Sequence, residues 1–132
     1  MNREILYRGI NFQKEWVYGD LFHSYANDDI AIAYYREGSK TPTFDAIFPE
    51  SVGQYTGLKD KNGNKIFEGD ILYQGAKMLG VVCISARYGI SIQKKSSTWS
   101  LINFVLDSDF DAGVLSDIEV RGNIYDNSEL MK

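Results

Sequence analysis

Apolar residues recur along most of this chain with a period of two, the signature of strands whose side chains alternate between faces. From Trp16 to Phe22, one face carries Trp16, Tyr18, Asp20 and Phe22 and the other Val17, Gly19 and Leu21. Ile30, Ile32 and Tyr34 share a face in the next run. Residues 23–29 between them hold Asn27, Asp28 and Asp29, whose side chains bond their own backbone, so the segment predicts a hairpin loop and the first third a meander. Glu37 to Pro42 breaks the pattern with turn formers, Thr43 to Phe48 is a short apolar run, and Pro49 ends it. One domain is expected, with an internal boundary near 49–52 that divides a β-meander (1–50) from a small barrel (51–132).

The strongest local signal is Leu58-Lys59-Asp60-Lys61-Asn62-Gly63-Asn64-Lys65-Ile66-Phe67. A two-residue type I′ turn needs positive φ at both central residues, which Asn62-Gly63 supplies at least steric cost. Glu68-Gly69-Asp70 predicts a second bend, and Ile71-Leu72-Tyr73 resumes a strand. Leu79 to Ala86, apolar on both faces, reads as a central strand buried on both sides. Ile90 and Ile92 continue the sheet to a polar turn at 94–97, Trp99 to Leu106 predicts another strand, and Ile118 to Arg121 alternates cleanly. Short helices are expected only at 113–117 and from Asn127 or Ser128 to Met131. The fold class is therefore mainly β, a β-rich α+β chain forming a small antiparallel barrel or sandwich, with Phe67 to Ile92 patterned like part of an SH3-like barrel.

Composition agrees with a folded globular protein: 132 residues, 44% hydrophobic, 24% charged and 14% aromatic. The single cysteine, Cys83, excludes an internal disulfide and sits in the apolar run Val81-Val82-Cys83-Ile84, which predicts a packing role. No signal-peptide pattern or long apolar run is present, so the expected location is cytoplasmic, with no membrane partner. The net charge of −4 is uneven, with residues 59–95 carrying seven basic against three acidic side chains between two acidic ends. Such a segment either serves an anionic partner or balances charge between neighbouring strands.

Few side chains suit catalysis. The only histidine, His23, falls in a predicted loop, which cripples His-based triads and paired-His metal sites. Asp60-x-Asn62-x-Asn64 resembles the start of a calcium loop, but the sixth and twelfth positions are Lys65 and Ile71 where Gly and Glu are needed. Asp60, Glu68 and Asp70 form the one carboxylate group that a hydrolase could use. The plainer reading is that they solubilise a strand edge and pair with Lys59, Lys61 and Lys65. No glycine pattern cradles a phosphate. No cofactor or metal is expected, and a non-enzymatic role is favoured. Tyr55, Lys59, Asp60, Lys61, Lys65, Glu68 and Asp70 form the candidate interaction surface. Arg87, Lys94, Lys95 and Trp99, within the stretch 73–99, are the candidate nucleic-acid contacts, as a basic and aromatic surface of the kind that stacks single strands. A pI near 4.9 and the lack of a binding motif weigh against that second reading.

The block from Gln54-Tyr55-Thr56-Gly57-Leu58-Lys59-Asp60 through Asn62-Gly63 to Glu68-Gly69-Asp70-Ile71, together with Gly122-Asn123-Ile124-Tyr125-Asp126-Asn127 near the C-terminus, closely resembles the YopX family of small phage and prophage proteins. The aromatic strand ending in Gly19-Asp20 extends the resemblance over nearly the whole chain, and Ser128 stands where many relatives have Pro. The resemblance implies a phage accessory protein in the cytoplasm of a bacterial host, and it carries no reaction, cofactor or catalytic residue with it. The expected mode of action is contact with an unidentified protein partner or with further copies of the chain, through strand edges and aromatic faces.

Overall fold

The computed structural model describes residues 4–23, 29–87, 89–94, 97–100, 114–115 and 117–127. The chain is mainly β, with eleven strands among the described residues, and it divides into two compact units, Met1–Tyr55 and Thr56–Lys132.

In the first unit the predicted meander forms, with one strand before it that the sequence pattern does not mark: β1 (Tyr7–Ile10), β2 (Trp16–His23), β3 (Ile30–Tyr34) and β4 (Thr43–Ala46) pair antiparallel, each with the next. The start of β5 (Gly53–Lys59) adds to the other side of β1, with Tyr7 opposite Gln54. The β1–β2 turn is built on Asn11, whose side-chain oxygen accepts from the Gln13 and Glu15 amides at 3.0 and 2.9 Å. Asn is favoured there because its short carbonyl substitutes for a backbone acceptor. Ile32 and Ile47 are the fully buried apolar side chains of this unit. A 3-10 turn at Pro49–Ser51 carries the chain on to β5 and is fastened by Ser51, whose hydroxyl accepts from the Ile10 amide at 2.7 Å and donates to the Phe48 carbonyl at 2.6 Å.

In the second unit the rest of β5 and β6 (Lys65–Phe67) flank a tight turn, and the Thr56 hydroxyl donates to the Ile66 carbonyl at 2.8 Å. β7 (Asp70–Gln74), β8 (Lys77–Ser85), β9 (Gly89–Lys94), β10 (Ser97–Ser100) and β11 (Glu119–Asn123) form an antiparallel sheet ordered β10-β9-β8-β7-β11. Ile66, Leu72, Leu79, Val82, Ile92, Leu115 and Ile118 make one buried cluster, against which Leu58, Ile90 and Val120 pack. A bulge in β8 sets its shape: Gly80 has φ +140°, and a Cβ there would meet the Gln93 carbonyl oxygen at 2.5 Å. Only glycine permits both that backbone and that approach.

Three expectations need correcting. The Asn62-Gly63 turn is not type I′, because among its residues Gly63 alone has positive φ, at 84°. Gly63 N donates to Asp60 O at 3.0 Å and Asp60 N to Asn64 O at 2.9 Å, the pattern of a type I turn followed by a left-handed glycine. The Asp60 side chain selects this form by accepting from the Asn62 and Asn64 amides. The apolar run Leu79 to Ala86 is buried on both faces only to Val82, since Cys83 is half-buried and Ile84, Ser85 and Ala86 are exposed where β8 leaves the sheet core. The 3-10 turn is the only helical segment among the described residues: Val114, inside the expected 113–117 helix, forms a parallel bridge to Lys59, and the expected 127–131 helix lies almost wholly outside them.

Candidate functional site

The residues singled out by sequence fall in three places. The first is the turn block of the second unit. Asp60 is fully buried. Its carboxylate accepts from the amides of Asn62 and Asn64 (both 2.9 Å), from the Asn64 side chain (3.2 Å), and from the Val120 amide of β11 (2.9 Å). Burial pushes its pKa up, but the donors at Val120, Asn64 and Asn62 outweigh this and hold the carboxyl below its ordinary range. Asp70, 2% exposed, accepts from the Phe67 amide at 2.7 Å and closes the Glu68-Gly69 bend. The C-terminal block meets the same place: Ile124 N donates to Gly69 O at 3.0 Å, and the buried Asn123 caps its own turn by accepting from the Tyr125 and Asp126 amides. The two motif blocks are thus one polar scaffold whose carboxylates face backbone donors. Lys59 and Lys65 are half-buried, and the Lys59 carbonyl accepts from Leu115 N at 2.8 Å. Lys61 is exposed and lies 3.6 Å from Glu119, which Arg121 also bonds at 3.2 Å, so the Glu119 carboxyl is held below its ordinary range. Tyr55, the last residue of the first unit, is buried, and desolvation and the charge of Glu4 raise its hydroxyl's pKa.

The second place is the outer face of the first unit's sheet. Register puts Phe22, Ala31 and Ala46 in one cross-strand row and Asp20, Ala33 and Phe44 in the next. Phe22 and Phe44 meet edge to face with centroids 5.3 Å apart, yet remain 50% and 53% exposed, and Tyr18 is 47% exposed. Alternation alone placed Tyr18 and Phe22 on a common face. Phe44 needed the β3–β4 register, and no local signal in the sequence marks which side of the sheet stays uncovered.

The third place is a pocket of about 250 Å³ in the second unit, lined by Gln74, Lys77, Met78, Leu79, Lys94 and Trp99. The β7–β8 hairpin supplies the first four residues, and β9 and the edge strand β10 supply Lys94 and Trp99. Lys94 Nζ donates to the Met78 carbonyl at 3.3 Å, a bond between two of the lining residues. Of the candidate nucleic-acid contacts, Lys94 and Trp99 meet here. Arg87 stands in the exposed β8–β9 turn, and Lys95 lies outside the described residues. Lys77 and Met78 escaped the sequence reading because nothing local links the Gly75-Ala76 turn to residues some twenty positions later. Cys83 is half-buried, and burial and the charge of Glu68 push its thiol up, away from the thiolate a nucleophile requires. Among the described residues no group of three His, Cys, Asp or Glu could hold a metal ion, and no helix is long and apolar enough to cross a membrane.

A family model described as YopX protein matches residues 6–132. No curated protein matches the chain. Among solved structures, the crystal structure of protein EF1440 from Enterococcus faecalis superimposes with a TM-score of 0.50 at 20% identity, covering 99% of this chain and 100% of that one, a likeness of fold alone.

Proposed function

This chain belongs to the YopX family, and from that premise we propose that it is a non-enzymatic phage accessory protein of the host cytoplasm that works by protein–protein contact. Its outer sheet face of Tyr18, Phe22 and Phe44 meets a second copy of the chain. The observation that carries this reading is the Phe22–Phe44 pair, two half-exposed rings in adjacent cross-strand rows with Ala31, Ala33 and Ala46. Contiguous exposed apolar surface of this kind marks contact sites, and aromatic rings supply large contact area at small entropic cost. β4 stands at the edge of its sheet, so association there extends an existing structure. A hydrolase reading draws no support, since Asp60 and Asp70 are buried and bonded to backbone amides. In the same proposal, the second unit is the SH3-like element, a small barrel that serves as scaffold.

Sedimentation velocity between about 1 and 100 µM tests the reading at the concentrations where weak interfaces populate. Concentration-dependent association that disappears in the Phe22→Ser, Phe44→Ser double variant supports it. A single monomeric species across that range overturns it.

A further inference from the structure

We propose that the pocket between the β7–β8 hairpin and β10 binds a nucleotide unit, with the base against Trp99 and Met78 and the phosphate on Lys77 and Lys94. The register explains how the pocket arises. Trp99 stands opposite Ile92 and Ile92 opposite Val82, so the indole lies on the core-facing side of the sheet but on its outermost strand. There it remains 42% exposed, and among the described residues β10 is the last strand of the sheet. Buried Leu79, displaced inward by the Gly80 bulge, forms the floor. The pocket lining thus combines the Trp99 indole, the Met78 thioether and the apolar Leu79 side chain.

Size and charge narrow the ligand. About 250 Å³ is below the roughly 300–1,000 Å³ of sites that enclose drug-sized molecules, and matches one planar ring system. The lining residues include two lysines and Gln74, and no carboxylate is among them. Lys94 uses one N–H on the Met78 carbonyl and keeps two for an anion, at a position fixed by that bond. A flat π-surface beside paired cations is the arrangement that stacks a base and neutralises its phosphate, and every base has a face to offer. An acidic peptide would use the lysines and leave the indole idle. The same chemistry is offered by a free mononucleotide and by one nucleotide of a single strand.

The test uses the full chain, a fluorescein-labelled dT 12-mer read by anisotropy at about 20 mM salt, and unlabelled AMP and poly-glutamate as competitors. The expected result is 12-mer binding that weakens steeply with salt. Trp99→Ala should weaken it at least about fivefold, while Trp99→Phe stays within about twofold, as stacking requires. The Lys77→Gln, Lys94→Gln pair should lower the log–log salt slope by about 1.4, two phosphate contacts' worth for a single strand. Competition by AMP at comparable concentration per nucleotide assigns the site to a free nucleotide, and its failure to compete assigns the site to a strand. The proposal is overturned by absence of 12-mer binding at that salt, by unchanged affinity in Trp99→Ala, or by equal displacement with poly-glutamate. A thermal melt checks that Trp99→Ala folds, and if it does not, the lysine pair and Trp99→Phe decide.

Discussion

The turn block of the second unit and the outer sheet face of the first handle their side chains in opposite ways. Around Asp60, Asp70 and Asn123 the polar atoms are buried and turned to backbone donors, so the most motif-rich part of the chain serves its own fold. On the outer face, Tyr18, Phe22 and Phe44 form no recognisable motif, and they present large apolar rings to solvent. Dense, chemically suggestive sequence marks architecture here, and plain alternation marks the surface left open for contact.

The sharpest way to break this contrast is Asp60→Ala. The substitution leaves the amides of Asn62, Asn64 and Val120 without their acceptor, and such a donor costs about 1–3 kcal/mol where water cannot reach it. Partial relief by water at the turn brings the expected loss to about 3–4 kcal/mol in urea unfolding, and a loss under about 1 kcal/mol would make the block dispensable. Because the folded carboxyl lies below its ordinary range, its contribution is fully present above the unfolded value near 3.9 and fades as pH falls through the lower folded value. The stability gap between wild type and Asp60→Asn should therefore be flat from about pH 5 to 7 and shrink in acid. A gap that grows in acid would contradict the assignment.

Next in size is Gly80→Ala. A Cβ at 2.5 Å from the Gln93 carbonyl oxygen forces β8 and β9 apart and strains φ +140°, at an expected cost of about 2–3 kcal/mol. An unchanged midpoint would mean that the bulge is not fixed by Gly80. The smallest expected effect is that of Phe22→Ser with Phe44→Ser on the monomer. The rings are half exposed, so the pair should shift the melting temperature by only a few degrees, roughly what about 1 kcal/mol produces in a domain of this size. A collapse of the fold would show that these rings belong to a core, and the two regions would no longer differ in kind.

Much of this was legible in advance, and what was not has identifiable causes. β2, β3 and β11 are legible from their period-two alternation and β4 from its short apolar run before Pro49, whereas Tyr7-Arg8-Gly9-Ile10 of β1 shows no such pattern. The turn at Asn62-Gly63 was visible but mistyped. Asn-Gly favours type I′ only when nothing else competes, and the Asp60 side chain reaches across the turn from outside the two residues the rule considers. β8 was read as buried throughout because composition does not tell where a strand runs past its neighbours. The chemistry of Lys94 and Trp99 is legible in the sequence, but their meeting with Lys77 depends on a hairpin that returns β8 alongside β9.

The bond from the Val120 amide to Asp60 joins residues sixty positions apart, whereas the carboxylate's other bonds span two to four. Loop closure costs about 0.6 kcal/mol more per doubling of length, so about four doublings separate the local bonds from the distant one. The Asp60 turn can therefore form early on the ribosome, well before β11 has been synthesised. Until β11 emerges, one acceptor position on the buried Asp60 carboxylate stays open, which makes arrival of β11 the step that completes this turn.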